Sequence, residues 1–520
     1  GFSLFFVDGI AIQPPPHGAS SARGPGGGSD PLSALPDDML LQILVRLRCA
    51  RAAARTGLLS RRWLGLWARL PGLTFRGVPA GKIESALARA ALPTAVSLID
   101  IRLSESISWD SCKLDDAHAK SLLRAAARLS PEELVFILPD CRMVKPGRPV
   151  TIVLPCFRRA TSIELDTCFL PIKLPPAGEL PALEMLSISG NIVDLGAFLN
   201  RCPRLRVLRV TFRGVKPGSL ELAIAALQAA AALGLVLSRL GIEFDYVDGR
   251  QNIDGACFAS LLGAVATLSP LELFFENGFR EWTDADMLCF PHTTSIEMNL
   301  YRLRFTKLPD GEFSALERLS LSGCTLVNIV TMVSRCPRLR VLKVIADKFA
   351  RDVTIHSASL QELQICVTER SWCRRIDIRT PLLKQLNLNV HGNTALTVSI
   401  MAPLLEKVSW RWEYAELPLM FGFWSLRMVK LVTAESNNGK DGVLNNDAQD
   451  ACLPHPRINV LSLDVNASYH LGAAMNFVAE IEKIPVTNFS VLELHISQRG
   501  HVYGAFLLRL FGMHHIRTAI

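Results

Sequence analysis

One spacing recurs down this 520-residue chain and constrains its fold more than any other feature. The pattern L-x-x-L-x-L falls at Leu183/Leu186/Ile188, Leu205/Leu208/Val210, Leu316/Leu319/Leu321, Leu339/Leu342/Val344, Leu360/Leu363/Ile365, Leu383/Leu386/Leu388, Leu405/Val408/Trp410 and Leu426/Val429/Leu431. From Leu316 onward, successive copies stand 23, 21, 23, 22 and 21 residues apart. The last three positions alternate as a strand does, with the first Leu tucked behind. A unit this short cannot close its own core, whereas stacked units share one interior and leave a strand face exposed. The pattern returns at Ile458/Leu461/Leu463 and Phe489/Leu492/Leu494, after a polar insertion, AESNNGKDGVLNNDAQD, that reads as a loop.

The step lies inside the leucine-rich-repeat range of roughly 20–29 residues and below the roughly 33 of the shorter helical repeats. We therefore expect an α/β solenoid over 90–495, a leucine-rich-repeat horseshoe of short parallel strands. RCPRLRVL stands at Arg201–Leu208 and again at Arg335–Leu342; AKSLLRAAARLSPEELVF, TSIELD and LPALEMLSISG have counterparts in FASLLGAVATLSPLELFF, TSIEMN and FSALERLSLSG. The offset drifts from 139 to 133 and returns to 134, as small loop deletions would produce. A block of several repeats, about 95–210, is thus duplicated at 237–344. Cys168, Asn191 and Cys324 follow strand ends by three residues, where such repeats bury a side chain able to bond turn backbone, so those cysteines read as structural.

Composition narrows the class. Half the residues are apolar and a fifth are charged, which excludes wholesale disorder. Of the net charge of +8, residues 1–80 carry +5, nine Arg against four Asp, on a short helical stretch rather than a long basic face, so nucleic-acid binding is not expected. Thirteen Cys without a C-x-x-C pair or histidines at zinc spacing fit reduced thiols in cytoplasm or nucleus, with no metal and no cofactor. The most apolar run, Leu222–Leu237, is shorter than the roughly 18–20 residues of a membrane span and reads as a buried helix. Residues 11–31 are mainly Pro, Gly, Ser and Ala with little to bury, so 1–31 is expected to be a disordered leader, and its glycines lack the Lys of a phosphate loop.

Residues 32–78 form a separate pattern. Leu40, Ile43, Leu44 and Leu47 make one helical stripe with Asp37 and Asp38 in its first turn. A second stripe, Leu59, Trp63, Leu66, Trp67 and Leu70, predicts another helix capped by Ser60 and stopped by Pro71-Gly72. Forty residues cannot bury this much apolar surface unaided. The stripes either meet a partner or cap the repeats that follow.

LPDDMLLQILVRL followed by LLSRRWLGLWARLPGLTF resembles the F-box of plant F-box proteins, with Arg48 where many members carry Pro. FSVLELHISQRGHVYGAFLLRLFGMHHIRTAI looks like the FBD-like C-terminal region of grass-type members, a C-terminal cap over 496–520 whose abrupt stop suits a truncated end. The resemblance implies a three-helix module that docks on a Skp-type adaptor and through it a cullin. It carries over as docking anchors Leu35, Pro36, Leu40, Ile43, Leu44, Leu47, Leu59, Trp63 and Trp67. The implied function is a substrate-recognition adaptor of an SCF-type E3 ubiquitin ligase, its repeats binding an unknown protein target. The alternative is a repeat scaffold or inhibitor that works without ubiquitination, the F-box remnant serving as a cap.

No constellation supports an enzyme. His514 and His515 are adjacent and point to different sides. In EWTDADML, Asp284 and Asp286 share a face if extended, yet the segment reads better as a helix start capped by Thr283 or Asp284. Trp372, Trp410, Trp412 and Tyr414 are the aromatic residues of interest. In SWRWEY either the two Trp decorate an exposed sheet face, or Trp410 fills a Leu slot and Trp412 shields its edge; the third motif position of Trp410 favours the second.

Overall fold

Each Leu of the recurring motif faces the interior, and one carbonyl per repeat holds the next repeat in step. The backbone N–H groups of Glu184 and Met185 both donate to Thr161 O, those of Arg206 and Val207 to Glu184 O, and those of Ser238 and Arg239 to Arg206 O. The same two-to-one junction joins Glu317/Arg318 to Thr294, Arg340/Val341 to Glu317, Gln361/Glu362 to Arg340, Lys384/Gln385 to Gln361 and Glu406/Lys407 to Lys384, at 2.8–3.1 Å. Stacking thus satisfies the backbone at each of these turns into a strand. The computed structural model describes residues 35–60, 62–63, 65–90, 96–103, 116–139, 151–174, 178–192, 194–213, 219–245, 254–276, 282–326, 328–346, 352–367, 373–414, 419–421, 424–435, 457–467 and 491–497.

All 22 described strands belong to one sheet. Its main row starts at Gly72–Arg76, which pairs with Leu98–Arg102, so the first strand lies inside the stretch assigned to the N-terminal module. The row continues in parallel register to Lys407–Tyr414. Helices Ala80–Arg89, Asp116–Arg128, Leu195–Asn200, Ser219–Ala232, Gly255–Leu268 and Ile329–Ser334 cover the apolar side of the row. The core lies between these two layers. It is continuous from Leu40 to Val465, as expected when repeats lend one another their cover.

The strands are not all short. Ser162–Lys173, Ser295–Lys307 and Gln385–Met401 run on past the main row and pair there with Ile152–Val153, Thr283–Asp286 and Cys373–Arg379, a second row of strands where other repeats place a helix. Thr283–Asp286 is therefore a strand and not the helix start expected. Thr283 and Ala285 are buried and Asp284 and Asp286 exposed, an alternation that parallel pairing to Leu303–Lys307 fixes. Nor is the array parallel throughout. Trp424–Glu435 carries the motif Leu426/Val429/Leu431 but runs antiparallel to Lys407–Tyr414 and to Arg457–Ala467. L-x-x-L-x-L states which residues face inward, and inward alternation reads the same in either direction.

The duplicated blocks superpose in kind. Ser130 and Ser269 have φ of 46° and 47°, and Cys168 and Arg302 have 58° and 61°. Leu180 N donates to Arg201 O at 3.0 Å and Phe313 N to Arg335 O at 2.9 Å. Cys168 and Cys324 are buried as expected, with Cys168 N bonded to Asp166 Oδ1 at 2.9 Å. The Asn191 side chain lies outside the described residues. The apolar run near residue 230 is a helix ending at Ala232; one stripe is buried, while Leu222, Leu233 and Val236 are exposed. No helix among the described residues is long and apolar enough to cross a membrane. The leader 1–31, the polar insertion beyond Glu435, Trp372, Phe489, His514 and His515 fall outside the described residues, as does the C-terminal cap beyond Ser497.

Candidate functional site: the N-terminal docking surface

Asp37–Arg46 is the first helix, its acidic first turn and basic Arg46 both suited to the helix dipole. A short helix, Ala50–Arg55, follows in the segment RCARAAART. The second apolar stripe does not continue as one α-helix. It breaks into 3₁₀ turns at Thr56–Leu58 and Leu66–Arg69, because Gly65 adopts a left-handed φ of 87° that interrupts the ladder between Trp63 and Trp67. The described residues of the module thus form two α-helices and two 3₁₀ turns, which does not confirm the three-helix expectation. Arg48 has φ of 48°, which a proline ring, locked near roughly −65°, cannot adopt.

The nine anchors divide by burial. Leu40, Leu44 and Trp63 are sealed in the chain's own core, Trp63 with only 6% of its surface exposed, where no partner reaches them. Leu35 and Trp67 are half-buried against the same core, and Pro36 is exposed. Ile43, Leu47 and Leu59 are 37%, 42% and 69% exposed. Met39, one turn before Ile43, and Leu58, beside Leu59, extend this apolar surface, although neither is singled out by the sequence pattern. The module is braced by Arg62, whose guanidinium donates to Asp37 Oδ1 at 2.9 and 3.0 Å, with Arg69 3.7 Å from the same carboxylate. That contact joins the LPDD and LSRRW segments; it was missed because opposite charges 25 residues apart carry no periodic signal.

Residues 262–410 match the family model described as FBD-associated F-box protein At5g56370, LRR repeats. The putative F-box protein At2g39415 of Arabidopsis thaliana is 40% identical over 75 residues, 13% of this chain and 62% of that protein, so the chain spans under two thirds of the relative it matches. The two matches agree with a plant F-box/leucine-rich-repeat protein. No solved structure matches the chain.

The strand row offers a second surface, its exposed face. Where the first duplicated block meets the second, charges close on one another there. Arg209 Nε donates to Glu243 at 2.6 Å, Thr211 donates to the same carboxylate at 2.8 Å, and Arg213 lies 3.1 Å from Asp166 and 3.2 Å from Asp245. Gly241 leaves room for the Arg209 stem, whose guanidinium sits 5.8 Å from the Phe274 ring centre. Trp410 and Trp412 are both buried, stacked at 6.2 Å between centroids, with Tyr414 continuing the column, so they are core and not an exposed hot spot.

The described residues hold no group of three or more His, Cys, Asp or Glu placed to bind a metal ion. Burial pushes the thiols of Cys202, Cys324 and Cys336 up to about 12 and that of Cys373 up to about 11, which removes the thiolate a nucleophile requires.

Proposed function

We propose that this protein is the substrate-recognition subunit of an SCF-type ubiquitin ligase, its N-terminal module docking on a Skp-type adaptor that links it to a cullin, and its repeats holding a protein target. The observation that carries the reading is the exposed apolar row Met39, Ile43 and Leu47, which runs along the first helix to its C-cap beside the buried Leu40 and Leu44. Large side chains left wet on a short, internally closed module suit a partner interface. Within the anchor set, Ile43, Leu47 and Leu59 make the contact, whereas Leu40, Leu44 and Trp63 hold the module together.

The test is co-precipitation of the full chain with a Skp-type adaptor. Ile43→Asp with Leu47→Asp is expected to lower capture at least tenfold, and Leu271→Asp, exposed elsewhere on the chain, to leave it unchanged. Equal capture by the double variant removes the reading. Trp63→Ala would report on folding instead of docking, since Trp63 is buried. A second reading, a scaffold capped by the module and independent of ubiquitination, draws on the single core that joins the module to the repeats. Under it the helix variants change nothing.

A further inference from the structure

The duplicated blocks share a helix and differ in what it shows to solvent. Along Asp116–Arg128 the outward stripe is Lys120, Arg124 and Arg128; in Gly255–Leu268 the same three places hold Ala259, Gly263 and Thr267. The neighbouring helix, Ser219–Ala232, packs beside Gly255–Leu268 and shows Leu222, Ala225, Ala229 and Leu233, with Val236 just beyond its end. No charged residue stands in 222–238 or in 255–271. On the other side lies Leu195–Asn200, also without charge, its Gly196 so placed that a Cβ there would meet the Ala226 Cβ at 3.6 Å. Leu222, Leu233 and Val236 are 63%, 70% and 76% exposed. Large side chains left wet on a contiguous uncharged face mark an interaction surface. Its two ends carry opposite charge. Asp194, Glu221 and Asp254, all exposed, stand at the N-terminal ends of the three helices. Beyond the C-terminal end of Ser219–Ala232, the exposed Arg204 and Arg206 line one depression with Glu184, Gly234, Leu235 and Val236.

We infer that this helical face binds a second copy of the chain, about a two-fold axis that sets the two Ser219–Ala232 helices antiparallel. Charge selects the occupant and its direction. An antiparallel pair places the acidic end of each copy against the Arg204/Arg206 end of the other, whereas a parallel pair would set like charges together. A net charge of +8 opposes self-association over the surface as a whole, and here the apposed middles bring none. The stripe also reads nearly the same from either end, with Leu222 and Leu233 outside and Ala225 and Ala229 inside, so leucine meets leucine and alanine meets alanine across the axis. Gln228 borders the midpoint. A carboxamide both donates and accepts, so two of them related by the axis satisfy each other. The two longer helices have 14 residues each, about 21 Å at about 1.5 Å per residue. Spaced by about 10 Å, and with the margin of Leu195–Asn200, they offer roughly 500 Å² per copy. The total of about 1,000 Å² is at the lower bound of a specific interface, so the dimer dissociates on dilution.

Sedimentation velocity of the full chain over roughly a hundredfold range of concentration tests this, and a monomer–dimer equilibrium is expected. Gly263→Arg with Thr267→Arg puts back the residues that Asp116–Arg128 carries in the same places; a Cβ at Gly263 meets nothing within 4 Å, so the chain should keep its circular dichroism and sediment as a monomer throughout. Glu221→Arg and Arg204→Glu are each expected to weaken the dimer at least about tenfold, and the two together in one chain to restore it. Within one copy these residues lie at opposite ends of a helix about 21 Å long and cannot pair, so restoration reports a contact between copies. A parent that is monomeric at every concentration, a dimer that survives the arginine pair, a double charge variant no tighter than either single one, or a monomeric parent that floats with neutral phosphatidylcholine vesicles would each overturn the assignment. The assignment stands apart from adaptor docking, because none of these positions lies in the N-terminal module.

Discussion

Asp194 and Asn328 perform one task in two places: the Asp194 carboxylate accepts from Ala197 N at 2.8 Å, and the Asn328 carboxamide from Thr331 N at 3.0 Å, each capping the helix that begins at the next residue. These helices are six residues long and have few internal hydrogen bonds, so the cap is a large share of what holds them. Asp194→Ala and Asn328→Ala are each expected to cost about 1 kcal/mol in urea unfolding. The double variant should cost nearly the sum, the sites being far apart.

Gly190 and Gly263 predict opposite responses to the same substitution. Gly190 has φ of 142°, and a Cβ there would sit 2.5 Å from Thr167 Oγ1 and 3.2 Å from the Cys168 carbonyl, between adjoining strands. Gly263 lies inside Gly255–Leu268 with nothing within 4 Å of its Cβ position. Gly190→Ala is expected to lower the thermal midpoint, whereas Gly263→Ala should raise stability by about 0.5–1 kcal/mol through helix propensity. Calorimetry on both variants decides it.

Asp377 predicts a dependence on pH. Its carboxylate is buried, 3.2 Å from Arg379, 3.3 Å from Arg375 and 3.6 Å from His356. Burial opposes its ionisation, but the hydrogen bond and charge of Arg379, with His356 and Arg375, outweigh that and hold the carboxyl below the usual range. On acidification the unfolded chain, with an ordinary carboxyl near about 3.9, takes up the proton first. The stabilisation is therefore complete above that value and declines as pH falls through the lower folded one. Asp377→Asn should be less stable than the parent near neutral pH, with the deficit shrinking as pH falls below about 4. A deficit that stays constant would show that the carboxylate's charge is not involved.

What could be read from sequence was whatever repeats. Leu186, Ile188, Leu342 and Val344 are inward because alternation and a step of about 22 residues leave them nowhere else to go, and Trp410 is inward because it occupies a motif position. Strand polarity was not legible, since Leu426/Val429/Leu431 spells the same in either direction. The second row of strands was missed because TDAD is too short to show a period against the helix-capping signal of Thr283. In the N-terminal module, the stripe from Leu59 to Leu70 is compatible with a helix, and Gly65 decides otherwise. A stripe also cannot say which of its members an adjoining sheet will cover; Ile43 is exposed and Leu44 buried because only the second faces the chain's own core.

The reversal at Trp424–Glu435 bears on how such a chain finds its own register. Arg201–Leu208 and Arg335–Leu342 are identical, so during assembly a neighbouring strand meets two docking edges that local contacts cannot tell apart, and a slip by one whole block would still leave the leucines aligned. Among the described residues, a strand of opposite direction has no such double. Lys407–Tyr414 and Arg457–Ala467, joined through it, can occupy one place in the row only, and this gives an otherwise translatable array a fixed origin from which the remaining ribs are counted.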